Sequence, residues 1–266
     1  YYGKAIQLNP NLDSAYNNRA LIEFNDKDTS AALRDINAAI LLNPNEPLYY
    51  CNRTAIKSFK NDWDGALEDC EAAIKIAPDY ALAYAARGVC RLNKKDTDGA
   101  IEDLTKAIQL NPKDANFFFY RGNAQCRKEY WNEAIEDFTK ALELDPDSAA
   151  AYYNRGAAKH ESNDLSGALS DYDSAIRLKS DDAKMRADRG ALKFQMKDID
   201  GAVEDMTAAI EADPEYAPAY DTRGRILFII NRHNESLSDL RKAVELNPSL
   251  GRELNPIIKQ LEDELK

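Results

Sequence analysis

The sequence predicts an all-α protein, a solenoid of helical hairpins repeated every 34 residues. Three invariant columns and one near-invariant column predict it. Arg19, Arg53, Arg87, Arg121, Arg155, Arg189 and Arg223 are each 34 residues from the last, as are Asp35, Asp69, Asp103, Asp137, Asp171, Asp205 and Asp239. Ala39, Ala73, Ala107, Ala141, Ala175, Ala209 and Ala243 keep the same step, and Pro follows at 44, 78, 112, 146, 214 and 248, with Ser180 in its place once. No insertion breaks the series, and a fixed period of this length marks a stacked repeat.

The columns divide the 266 residues as follows. Residues 1–12 read as the second helix of a truncated repeat. Seven full units follow at 13–46, 47–80, 81–114, 115–148, 149–182, 183–216 and 217–250. Residues 251–266 read as a capping helix. The chain opens Tyr1-Tyr2 without Met, which reads as a start inside a longer protein.

Numbering each unit from 1 to 34, the first helix is expected over positions 1–14 and the second over 18–31, as in 149–162 and 166–179. Position 18 holds Ser30, Asp64, Asp98, Asn132, Ser166, Asp200 and Asn234, all residue types that cap helix N-termini. Pro at position 32 stops the second helix. Small residues at 8, 20 and 27, such as Gly156, Ala168 and Ala175, let the helices approach. Bulky residues at 4 and 24, such as Tyr152 and Tyr172, fill the space between them.

The Arg and Asp columns sit at positions 7 and 23. Across a turn centred near position 16 they are offset by about two residues, roughly 3 Å along the helices. Arg reaches that far, and a carboxylate suits its planar fork. The columns therefore read as a repeated structural ion pair. An Arg ladder reading an acidic ligand is the competing interpretation. At the C-terminal end, Leu254, Ile257, Ile258, Leu261 and Leu265 form an apolar stripe at helical spacing, with Asn255-Pro256 expected to start that helix.

Composition narrows the function. Hydrophobic residues make up 44% and charged residues 30%, so the chain has enough apolar material to fold. No apolar run approaches the ~20 residues of a membrane span. The formal charge is −11, which repels nucleic-acid phosphates, so no nucleic-acid partner is expected. The four Cys (51, 70, 90 and 126) form no CxxC pair, and only two His are present, so neither a structural metal nor a cofactor is expected. Reduced thiols point to a cytoplasmic setting.

On these residues the chain resembles the tetratricopeptide-repeat (TPR) family over essentially its whole length. Unit 149–182 carries the family's aromatic at 4, small residues at 8, 20 and 27 and bulky residue at 24, but has Ser180 in place of Pro. The family's usual Leu at position 7 is Arg throughout. The resemblance implies a right-handed superhelix with a concave groove, lined mainly by positions 2, 5, 6, 9, 12 and 13 of the first helices.

The richest patch at those places lies in units 115–148, 149–182 and 183–216. It offers Phe119, Tyr120, Asn123, Cys126 and Arg127, then Tyr153, Asn154 and His160, then Lys184, Asp188 and Gln195. Aromatic rings and amides suit a partner peptide, since amides can hold its backbone and rings its side chains. Some family members clamp a chaperone C-terminal carboxylate. Asn123, Asn154 and Lys184 match that clamp, whereas Phe119 and Asp188 do not, and Asp188 would repel the carboxylate. Cys126 and His160 share position 12 of adjacent units, but no third group orients them as nucleophile and base. The stretch with Arg177, Lys179, Lys184 and Arg186 reads as a softer joint, a patch for an acidic segment, or plain solvated surface.

The resulting expectation is a non-catalytic scaffold or adaptor that holds a partner peptide in its groove. The alternatives are a regulatory or targeting arm of a larger enzyme or assembly, and a scaffold that self-associates into homo-oligomers.

Overall fold

In the computed structural model, residues 1–265 are described, and among them all regular structure is helical. Helix α1 (Tyr2–Leu8) precedes the hairpins α2 (Asp13–Asn25)/α3 (Thr29–Leu42), α4 (Pro47–Phe59)/α5 (Trp63–Ile76), α6 (Ala81–Asn93)/α7 (Thr97–Leu110) and α8 (Ala115–Arg127)/α9 (Trp131–Leu144). Then come α10 (Ala149–Glu161)/α11 (Leu165–Leu178), α12 (Ala183–Gln195)/α13 (Ile199–Ala212) and α14 (Ala217–Ile229)/α15 (His233–Leu246). A 3-10 turn (Pro248–Leu250) leads into α16 (Gly251–Glu264). Contacts divide the chain into two compact units, residues 1–144 and 145 onward. In each, every helix packs against the next. First helices also touch one another, α4 with α6, α6 with α8, and α12 with α14.

Each hairpin turns through one left-handed residue, Lys27, Asn61, Lys95, Glu129, Asn163, Lys197 or Asn231, with φ of 60–68°. The N–H of Asp28 returns to the Glu23 carbonyl at 2.8 Å and that of Lys27 to Phe24 at 3.0 Å, which satisfies the carbonyls left open at a helix end.

That tight turn corrects the expected N-cap. The second helix begins at position 17, and the capping residue is at 16. Asp28, Asp62, Asp96, Asp164 and Asp198 accept the backbone N–H of Ala31, Gly65, Gly99, Gly167 and Gly201 at 2.9–3.1 Å. Position 18 lies inside the first turn. There Asp64 and Asp98 pair instead with Lys94 and Lys128 of the next hairpin.

The Arg–Asp pairing is present in all seven hairpins, always through Nε and Nη2 of Arg to both carboxylate oxygens. Examples are Arg87–Asp103 at 2.8 and 2.7 Å and Arg155–Asp171 at 2.8 and 2.7 Å. The other five are Arg19–Asp35, Arg53–Asp69, Arg121–Asp137, Arg189–Asp205 and Arg223–Asp239. All seven Asp are buried. A second cation, at position 11, joins four of them: Lys57, Arg91, Lys159 and Lys193, at 2.8–3.0 Å. Nη1 of Arg53, Arg121, Arg189 and Arg223 reaches back to Asn37, Thr105, Asp173 and Thr207 of the preceding hairpin. These charges are spent on internal structure.

The small columns do what their size permits. Ala168 and Ala175 are fully buried, and a Cβ added at Gly156 would sit 2.9 Å from the Tyr172 ring.

The capping helix also starts earlier than expected, at Gly251, so Pro256 lies inside it. Leu254, Ile258 and Leu261 are buried against Leu240 and Ala243 of α15. Leu265, at the helix end, is 40% exposed and so falls off the stripe.

Candidate functional site

Two stretches of first-helix surface carry the candidate residues, one in each unit. In residues 1–144 that surface is formed by α2, α4, α6 and α8. Of the run Phe117 to Tyr120, Phe117 is buried against Ala85, Leu104 and Ala107 of the preceding hairpin. Phe118 is buried under the Arg121 guanidinium, 5.9 Å from its ring centre. Phe119 packs edge-on to Tyr120 and against Phe138 of its own hairpin, at 5.6 and 5.9 Å between ring centres. It is therefore largely a packing residue. Tyr120 is the ring that stays exposed, at 36%. Asn123 is half-buried. Arg127 is exposed but donates Nη1 to the Leu92 carbonyl, which ties α8 to α6.

Beside these residues α4, α6 and α8 enclose an open cavity of about 410 Å³. Cys51, Ala85 and Cys90 are buried at its floor with Ala86 and Val89 half-buried beside them, the buried Phe117 and the exposed Ala55, Leu82 and Tyr120 complete the apolar lining, and Asn52, Thr54, Ser58 and Asn116 are its neutral polar residues. Asp114, also on the wall, caps α8 by accepting from the backbone N–H of Asn116 at 3.0 Å. Desolvation in this floor pushes the Cys51 thiol up to about 12. Asn52 donates to Asn17 at 2.7 Å, and Asn17 to Asn18 at 3.2 Å, so a string of amides runs along the neighbouring face.

Except for Tyr120, the residues of this cavity are not among the candidates to which the sequence points. A signal was there. At positions 2, 5, 6, 9, 12 and 13 of the first four units, Arg127 is the one charged residue. Small and apolar residues at those places looked uninformative one at a time.

In the second unit α10, α12 and α14 supply the surface. The Tyr153 hydroxyl donates to Asp188, and the Lys184 ammonium lies 4.9 Å from the centre of the Tyr153 ring. Tyr153 also packs on Tyr172, 5.7 Å away. Burial first, then the hydrogen bond to Asp188, raises the Tyr153 phenol well above its ordinary range. His160 Nε2 meets the Gln195 side-chain oxygen at 2.6 Å. Asn154 is half-buried on the same helix. The structure thus brings Tyr153, Lys184 and Asp188 together, and His160 with Gln195 a few turns along.

In the basic stretch at residues 177–186 the cations make local bonds, only one of them to a carboxylate. Lys179 pairs with Asp182 at 2.8 Å, Arg177 donates to Ser174, and Arg186 donates to the Ser180 carbonyl. No group of three or more His, Cys, Asp or Glu positioned for a metal occurs among the described residues. No described helix is long and apolar enough to cross a membrane.

Comparisons with known proteins converge on one family. Family models described as Tetratricopeptide repeat match residues 81–114, 183–216 and 217–250, and one described as TPR repeat matches 122–163. Together these stretches take in just over half of the chain. No curated protein sequence matches it. Among solved structures, MamA is 26% identical with a TM-score of 0.59, the match covering 65% of this chain and 94% of that one. YrrB, described as a TPR protein with an unusual peptide-binding site, is 21% identical with a TM-score of 0.58, covering 69% and 95%. PilF of Pseudomonas aeruginosa is 16% identical with a TM-score of 0.70, covering 82% and 97%. The likenesses to YrrB and PilF are likenesses of fold.

Proposed function

The chain belongs to the tetratricopeptide-repeat family, and from that premise we propose that it is a non-catalytic scaffold that holds a peptide segment of a protein partner on its first-helix surface. One observation carries the reading: several polar groups of that surface, most of them half-buried, are already fixed by bonds between successive first helices. Asn52 to Asn17, Tyr153 to Asp188 and His160 to Gln195 each join one hairpin to the next. A surface ordered before the partner arrives loses little conformational entropy on binding. Its aromatic and amide groups suit a peptide's side chains and backbone.

The recognition residues in this proposal are Tyr120, Asn123 and Arg127 on α8, with Phe119 behind them, and Tyr153, Asn154, His160, Lys184 and Asp188 on α10 and α12. Asp188 accepts from the Tyr153 hydroxyl, and the Lys184 ammonium lies over the Tyr153 ring, so a cation is presented beside an anchored ring. The YrrB likeness supports peptide binding as a use of this fold, and the site residues are this chain's own.

The test is a pull-down from the native source that compares the chain with a Tyr120→Ala, Asn154→Ala, Lys184→Ala variant of equal thermal stability. A partner held by wild type and lost by the variant supports the proposal. A partner held equally by both moves recognition to the second-helix face and refutes it.

A further inference from the structure

We propose that the cavity enclosed by α4, α6 and α8 takes an extended, uncharged peptide segment by its aliphatic side chains and discriminates against charged ones. This rests on the peptide-binding reading above and specifies the ligand chemistry of one part of that surface.

Three features carry it. The first is the lack of available charge. Charged residues make up 30% of the chain, yet the wall of the cavity holds only the Asp114 carboxylate, which is already engaged at the N-terminus of α8. An ionised side chain entering this floor would lose hydration; an anion would find no counter-ion, and a cation only the Asp114 carboxylate at the start of α8.

The second is depth. Ala86 and its neighbours on the floor are small, and Leu82 and Tyr120 stand above them 39% and 36% exposed. Small residues below large ones leave room for branched aliphatic side chains from outside. A volume of about 410 Å³ lies within the ~300–1,000 Å³ span of ligand pockets.

The third is the polar edge. Asn52 uses its amide N–H on Asn17, and Asn116 uses its own on Asp114 at 3.1 Å. Each is left with a side-chain oxygen to accept a backbone N–H. An extended segment has such N–H groups to offer, whereas a helix has bonded nearly all of its own. The capping helix of a second copy does not suit the cavity, because Leu254, Ile258 and Leu261 of α16 are already buried against α15.

The experiment selects a random nonapeptide display library on the full chain and measures the enriched peptides by fluorescence anisotropy. The expected pool is neutral and rich in Leu, Ile and Val. Affinity should fall at least about tenfold when Ala86→Asp charges the floor, and equally when a central aliphatic residue of the peptide becomes Asp or Lys. It should be unchanged in Lys106→Ala, an exposed position of α7 outside the first-helix surface, and nearly flat from low to high salt. Leu82→Asp, at a more exposed wall position, serves as a second variant, and both variants are checked for unchanged helicity and melting.

A charged pool overturns the proposal. So does a pool indifferent to both acidic variants. If such a pool is instead lost in Lys184→Ala, the broader peptide-binding reading stands without this one. A library from which nothing is enriched overturns both.

Discussion

Arg186 donates from Nε and Nη2 to the Ser180 carbonyl at 3.0 and 2.8 Å, in the place where Tyr50, Tyr84 and Tyr220 set a phenol on the carbonyl of Pro44, Pro78 and Pro214. The one hairpin that departs from the repeat at both positions keeps the same tie between units by other means. Arg186→Ala should therefore destabilise the chain by about 1 kcal/mol, the net value of such a bond. The double change Arg186→Tyr, Ser180→Pro restores the repeat and should regain that loss and add about 0.5–1 kcal/mol by restricting the unfolded chain. Urea denaturation of the three proteins decides it, and a wild-type midpoint for Arg186→Ala would show the tie to be idle.

The Asp103 carboxylate is buried and accepts from Arg87 twice and from Arg91 at 3.0 Å. Asp103→Ala leaves two cations facing each other without their counter-charge and should cost about 3–5 kcal/mol. Replacing both partners, Arg87→Met with Asp103→Leu, should cost much less, because the one cation left, Arg91, is partly exposed and keeps the Gly99 carbonyl and Asp96. Equal losses in the two proteins would contradict that account.

Glu23 occupies position 11, where four other units place a cation beside the same Asp. Its Oε2 is buried without a hydrogen-bond partner. Burial first, and then the charge of Asp35, raise its carboxyl above the ordinary value of 4.5. A raised carboxyl favours folding while it is protonated in both states, and that benefit is lost as pH rises through its folded value. At neutral pH Glu23 thus works against the fold. Glu23→Lys should raise the melting temperature by a few degrees near pH 7, by supplying the ion pair seen at Lys57–Asp69. The neutral Glu23→Gln should show a smaller gain that fades below pH 4.5, where the unfolded chain also keeps the proton.

Lys95 turns its hairpin at φ 66°, a conformation that costs a side-chain-bearing residue about 1 kcal/mol. Lys95→Gly should stabilise the protein by up to about that amount, and Lys95→Val should destabilise it, because a β-branched residue fits this region worst. Thermal melts of the pair, moving in opposite directions, are the expected result.

Burial pushes the Cys126 thiol up to about 11 and the Cys51 thiol up to about 12. Both should react slowly with a disulfide reagent at mildly alkaline pH and rapidly once urea opens the chain, because the thiolate is the reactive form. Fast labelling of the native protein, mapped by peptide mass, would show that the cavity floor opens in solution if it falls on Cys51, and that α8 loosens if it falls on Cys126.

The sequence by itself determined the class of fold and the family and pointed to a pairing of seven Arg with seven Asp, which the structure places within each hairpin. A period of 34 residues can be counted, and a hairpin of regular helices turns a count into a distance. It did not fix where each second helix starts or where α16 begins. The first depends on a three-residue turn with one left-handed residue; Asp28, Asp62, Asp96, Asp164 and Asp198 mark it at position 16, but the cap-type residues at position 18 mask that signal in the sequence. The second depends on how α16 packs against α15, which leaves no periodic mark. The candidate residues Tyr153, Lys184 and Asp188 were legible as groove positions one at a time. Only the tertiary structure decided that the Tyr153 ring joins Asp188 by its hydroxyl and Lys184 by its face, that Phe119 turns inward to Phe138, and that a largely uncharged cavity opens among α4, α6 and α8. The physical reason is that a repeat conserves the residues that hold helices together. The surface between first helices depends on which side chains meet across 34 and 35 residues, and small residues such as Ala86 matter there by the space they leave.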